Sequence, residues 1–179
     1  GISHTTAAQW LTILEAGYVV YRLRPFFANI GKRLVKSPKL YFYDVGIAAR
    51  LLRIENTAHV RNHPLRGNLF ENLIVSEILK YRFNRNLPDN LFFYRDNKGN
   101  EIDTVLNIGG IPFPVEIKSG QTLNTDFFKA FRHYDSVFGD SPYKGQGLLV
   151  YGGDRSELRG SVRVANLQSL NDELGEIMT

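Results

Sequence analysis

Gly109-Gly110 separates two runs of alternating residues, Glu101 to Ile108 and Phe113 to Ser119, and this constrains the fold more than any other feature of the chain. Paired glycines accept the positive φ that a two-residue hairpin turn requires. Partners counted outward from such a turn set Asp103 opposite Glu116, with Cβ atoms roughly 5 Å apart. Pro112 leaves room for a longer loop and a slip of register. Strand alternation puts Lys118 on the face of Glu116 and sends Ile117 into the core. Two facing carboxylates repel unless a cation lies between them, and all-oxygen ligation suits Mg²⁺ or Mn²⁺. Lys118 has the reach to bring an ammonium to a water or a phosphate oxygen. Metal plus lysine is the equipment of phosphodiester hydrolysis.

The flanking segments place this hairpin in an α-β-β-β-α-β order. Gly67 to Phe83 reads as an amphipathic helix with Phe70, Leu73, Ile74, Ile78 and Tyr81 on one face. Leu91 to Arg95 reads as a strand and Asp96 to Asn100 as a turn. Thr125 to Phe138 is a helix with Phe127, Phe128, Phe131, Tyr134 and Phe138 inward. Gly147 to Tyr151 is a strand, Val162 to Leu167 an edge strand, and Leu170 to Met178 a terminal helix. Glu71 is open to two readings. Asn68 followed three residues later by Glu71 is a helix-start signature, so Glu71 either caps the helix or joins the carboxylates. Arg95 either touches phosphate or pairs with an acid.

Residues 1–66 carry ten Lys/Arg against three Asp/Glu, whereas residues 67–179 carry twelve against fifteen. Arg22, Arg24, Lys32, Arg33, Lys36 and Lys39 follow one another with no acid between, a pattern suited to a nucleic-acid backbone. Ser3-His4-Thr5-Thr6 caps a helix through Trp10, Leu11 and Leu14, ended by Gly17, and Trp10 is expected in the core. Tyr18 to Phe27 reads as a strand, Asn29 to Arg33 as a loop and Lys39 to Asp44 as a second strand. Asp44 to Leu52 is a short helix capped by Asp44. Helix, strand, basic loop, strand is the tail of a winged helix-turn-helix. The division expected is a winged-helix remnant over 1–55, a linker over 56–66 punctuated by Asn56, Asn62 and Pro64, and a second domain over 67–179. His59 and His63 read as surface residues.

Asp103, then Glu116-Ile117-Lys118 on the next strand, after a helix carrying Glu71, resembles the PD-(D/E)XK nuclease superfamily with its restriction-endonuclease-like fold. A narrower likeness runs through Pro38-Lys39-Leu40-Tyr41-Phe42-Tyr43-Asp44-Val45-Gly46, Gly67 to Asn72, Tyr94-Arg95-Asp96, Glu101-Ile102-Asp103 and Val115 to Gly120. These motifs resemble the C-terminal region of predicted bacterial and archaeal AAA-type ATPases, catalogued as domain of unknown function 4143. The likeness covers nearly the whole chain. It implies an α/β fold with a mixed sheet flanked by helices, preceded by a partial winged helix, and an ATPase domain upstream. ATP would bind only there, since this chain has no G-x-x-x-x-G-K-[ST] loop. Ile102 stands where the superfamily has proline, and no Gln-x-x-x-Tyr follows Lys118.

The implied function is a metal-dependent deoxyribonuclease. Asp103, Glu116 and the Ile117 carbonyl would hold Mg or Mn. Lys118 would orient the water, and Glu71 would assist from one residue further out. The alternative is a non-catalytic DNA- or protein-binding module serving the ATPase. DNA and the upstream ATPase domain are the expected partners, with an oligomer left open. The absence of cysteine excludes a disulfide scaffold and a thiolate zinc site, and it fits a reducing, cytoplasmic setting. No apolar run approaches the ~20 residues of a membrane span. With Gly1 rather than Met at the start and no signal peptide, the chain reads as a piece of a longer protein.

Overall fold

The computed structural model describes residues 1–26 and 36–178. Phe27, the loop expected over 29–33, and with it Lys32 and Arg33, lie outside the described residues. The strands are β1 (Val20–Pro25), β2 (Lys39–Phe42), β3 (Leu91–Arg95), β4 (Glu101–Ile108), β5 (Ile111–Lys118), β6 (Gly147–Tyr151), β7 (Glu157–Arg159) and β8 (Val162–Ala165). They form one eight-stranded mixed sheet in the order β2-β1-β3-β4-β5-β6-β8-β7. β1 pairs antiparallel with β2 and parallel with β3, so the basic N-terminal strands extend the same sheet that carries the carboxylates.

The β4–β5 hairpin has the predicted two-residue turn. Gly109 and Gly110 take φ of 58° and 90°, where a side chain would be strained. Ile108 pairs with Ile111 and Thr104 with Val115, so Pro112 neither lengthens the loop nor slips the register. β5 then pairs parallel with β6, and β6 with β8. Val162 onward is therefore an inner strand, because the short β7 takes the edge beyond it.

The helices are α1 (His4–Ala16), α2 (Val45–Leu51), α3 (Thr57–Asn62), α4 (Arg66–Phe83), α5 (Lys129–Val137) and α6 (Leu170–Ile177), with a 3₁₀ turn over Thr125–Phe128 leading into α5. Helices cover the sheet on both faces, as strand alternation along β5 and β6 shows. Ile74, Val75 and Ile78 of α4 and Leu174 of α6 share a core with Val115, Ile117, Leu148 and Val150. Phe131 of α5 packs with Leu149, Tyr151 and Val164 instead. Tyr134 joins Tyr94, Ile102 and Val105. The inward aromatics expected for α5 are thus its core face. Among the described residues no helix is long and apolar enough to cross a membrane.

Local chemistry explains the helix starts. Ser3 accepts from Thr6 N–H at 3.0 Å and Asp44 from Gly46 N–H at 2.7 Å, both as expected. Three expectations are corrected. The stretch read as linker contains α3, whose first turn is held by the Asn56 side chain accepting from His59 N–H at 3.0 Å. The Asn68–Glu71 capping box does not form, because α4 begins earlier, at Arg66, and Glu71 points elsewhere. Trp10 is 54% exposed rather than core, because α1 has no buried residue and its Trp10, Ile13 and Leu14 stripe stays largely open among the described residues.

Candidate functional site

The β4–β5 ladder ends at Thr104–Val115, and the next residues along, Asp103 and Glu116, head the candidate site. Beyond this point the Asp103 side chain takes over from the backbone. Its Oδ2 accepts from the Ile117 N–H at 3.0 Å. Lys118 Nζ lies 3.4 Å from the same Asp103 oxygen and also contacts Glu116 Oε1. The predicted trio is therefore brought together at the C-terminal end of β5. Strand β5 opens a run of three parallel strands, β5, β6 and β8, and the C-terminal end of such a run is where ligands commonly bind in α/β sheets.

Burial sets the electrostatics. Glu116 is 6% exposed, and its Oε2 has no hydrogen-bond partner. Burial, then the charge of Asp103, pushes the Glu116 carboxyl up to about 8. Burial likewise raises Asp103, with Lys118 pulling against it and Glu71 adding to it. Burial disfavours the Lys118 ammonium, but Asp103 and Glu116 outweigh it and hold Lys118 above the ordinary lysine range.

Glu71 joins this group from α4. Its Oε1 accepts from Lys39 Nζ at 2.8 Å and from Tyr41 OH at 2.5 Å. Lys39 Nζ also lies 2.5 Å from Glu101 Oε1, whose second oxygen takes Arg95 Nε at 2.7 Å. Arg95 thus pairs with an acid. Lys39 sits among carboxylates, and the other predicted basic residues lie elsewhere. Arg22 pairs with Glu15, Arg24 lies 3.5 Å from Asp89, and these two line a separate cleft with Lys36.

Sequence reasoning did not assign Tyr41, Glu101 or Asn72 to this region. Arg95 and Glu101 are register partners across the Asp96–Asn100 turn, a signal present in the sequence. Tyr41 and Lys39 share a face of β2 by alternation, but nothing local says that β2 reaches α4. Asn72 makes that link: its side chain accepts from Phe42 N–H at 2.9 Å and donates to Phe42 O at 2.7 Å.

Among the described residues no set of three or more His, Asp and Glu converges as a metal cage. The pair Asp103 and Glu116 does fit a small hydrated cation, which takes one or two carboxylates and completes its shell with water and substrate oxygens. Glu116 Oε2, buried without a hydrogen-bond partner in a side chain that feels the charge of Asp103, is the atom such an ion would satisfy.

The family model described as Domain of unknown function (DUF4143) matches residues 66–170. A second, Domain of unknown function (DUF8612), matches residues 1–58. Uncharacterized proteins of Mycobacterium bovis and Mycobacterium tuberculosis are each 33% identical over 121 residues, covering 68% of this chain and 26% of the relative. The aligned part is thus about a quarter of those relatives. No solved structure matches. Since the first of these matches spans more than half of its residues, the chain belongs to the family described as Domain of unknown function (DUF4143).

Proposed function

We propose that this chain is a restriction-endonuclease-like domain of the PD-(D/E)XK type, carried behind an AAA-type ATPase domain, and that it hydrolyses phosphodiester bonds in DNA with Mg or Mn. The observation that carries this reading is the buried, unpartnered Glu116 Oε2 beside Asp103, with Lys118 touching both carboxylates. When bound, the ion would polarise the scissile phosphate and the attacking water. Asp103 and Glu116 would hold it, with the Ile117 carbonyl as a further oxygen. Lys118 would then turn its ammonium to the phosphate, where charge develops in the transition state. Glu71 acts at one remove, anchoring Lys39 and Tyr41. The winged-helix reading of the N-terminal segment and a backbone-binding role for Arg22, Arg24, Lys32, Arg33 and Lys36 belong to the same proposal.

One observation favours the non-catalytic alternative. Lys118 already contacts both carboxylates, and with Glu116 raised to about 8 one ammonium balances the ionised Asp103, so the constellation holds together as an ion-pair network without a metal. Plasmid nicking with Mn²⁺ and with Mg²⁺, wild type beside Asp103→Ala, separates the two. Metal-dependent nicking lost in the variant supports the nuclease. Binding of DNA without nicking supports the module.

A further inference from the structure

A cleft of about 840 Å³ opens beside Asp103 between β2, α2, the start of α4 and β4. That volume lies within the range of sites that enclose a small organic ligand. One wall is leucine-rich, and two of its leucines are unusually open: Leu51 is 69% exposed and Leu65 42%. The opposite wall is charged, but its charges are spent on one another. Lys39 is held by Glu71 and Glu101, and Arg95 by Glu101. With Asp103, three carboxylates face two cations, so the cleft does not attract a phosphate backbone. It suits a neutral group with apolar faces and a polar edge. The Arg95 side chain remains 39% exposed, with its guanidinium 5.9 Å from the centre of the Phe93 ring, so the face turned away from Phe93 is the one left for stacking.

We infer that this cleft receives an unpaired nucleobase from the strand whose phosphate lies at Asp103 and Glu116, so that the substrate is single-stranded or locally opened DNA rather than closed duplex. The inference rests on the nuclease reading and names the substrate class of that site. A base inside a duplex is stacked on both faces and cannot enter a leucine-lined cleft without leaving the stack. Leu51 and Leu65 would cover one face of the extruded base, and Arg95 would approach the other.

The test uses oligonucleotides carrying 2-aminopurine, whose fluorescence reports stacking, with Ca²⁺ in place of Mg²⁺ so that the carboxylates are screened, and with full-length recovery of the oligonucleotide checked after each titration. The single strand should bind at least tenfold more tightly than the blunt duplex, with a change in emission. Leu51→Asp should weaken single-strand binding at least tenfold without lowering Tm, because Leu51 is exposed. Arg95→Gln should weaken it less and diminish the emission change. Equal affinity for duplex and single strand, or an unaffected Leu51→Asp, overturns the inference. Metal-dependent cleavage of closed duplex with no preference for single strands overturns it too while leaving the nuclease reading intact. Single-strand binding in the cleft without cleavage under any divalent ion supports the cleft and removes the nuclease.

Discussion

Asp103 Oδ2 accepts the Ile117 N–H at 3.0 Å, one step past the last backbone pair of the β4–β5 ladder. A side chain thereby finishes a strand pairing and is aimed at Glu116 and Lys118 by the same bond. Structure and candidate chemistry meet in this one carboxylate.

Asp103→Asn keeps an acceptor for Ile117, whereas Asp103→Ala strands the N–H of a buried residue. In metal-free buffer the Asn variant should be the more stable by about 1–2 kcal/mol. Urea denaturation of the two measures the difference directly. Equal stabilities would mean that water replaces the lost bond at no cost.

Glu116 gives the protein a pH dependence of unusual sign. Its folded carboxyl is raised to about 8 from an ordinary value of 4.5. The folded state therefore keeps a proton that the unfolded state has released, and stability falls as pH rises across that window. The loss is up to about 1.4 kcal/mol per unit. Glu116→Gln should flatten the slope between pH 5 and pH 8, as roughly bounded by those two values. Millimolar Mg²⁺ should flatten it in the wild type as well. A slope unchanged in both cases assigns the dependence to other groups.

Lys39 is the only described cation in contact with both Glu71 and Glu101. Lys39→Met leaves Glu71 without its cation in a partly enclosed cleft, beside a Glu101 still paired to Arg95, and should cost about 2–4 kcal/mol. Adding Glu71→Gln should recover part of that loss, so a double-mutant cycle would give a coupling on the order of 1 kcal/mol or more. Strict additivity would place the two side chains out of contact.

Asn72 pins Phe42 of β2 by both its backbone groups. Asn72→Ala should destabilise the fold by about 2 kcal/mol. Hydrogen exchange at Phe42 should accelerate more than exchange at Val105 in β4. Uniform acceleration would mean that β2 does not open separately.

The hairpin was legible because its determinants are local. Gly109-Gly110 sets the turn, the turn sets the register, and the register brings Asp103 to Glu116. Caps at Ser3 and Asp44 were legible for the same reason. The misses share a different cause. Asn56 looked like loop punctuation because a capping side chain and a turn side chain are the same residue types. Val162 onward looked like an edge because β7, with only three residues, leaves no periodic signal. Trp10 looked like core because helical spacing shows which face is apolar but not whether anything covers it. Lys39 looked like one of a basic run, and only the long-range pairing of β1 with β3 carries it into the carboxylate cluster. The Arg95–Glu101 pair could have been found, since the Asp96–Asn100 turn sets those residues opposite each other.

Calorimetric titration with Mn²⁺, run beside single-turnover cleavage for wild type, Asp103→Ala and Lys118→Ala, tests the central claim most directly. The wild type should bind the ion and cleave. Asp103→Ala should bind it weakly, having lost a carboxylate oxygen. Lys118→Ala should bind it nearly as well as the wild type while cleaving on the order of a hundredfold to a thousandfold more slowly, the usual effect of removing a group that stabilises transition-state charge. A wild-type protein that binds no divalent cation at millimolar concentration contradicts the account, and leaves Asp103, Glu116 and Lys118 as a structural ion-pair network.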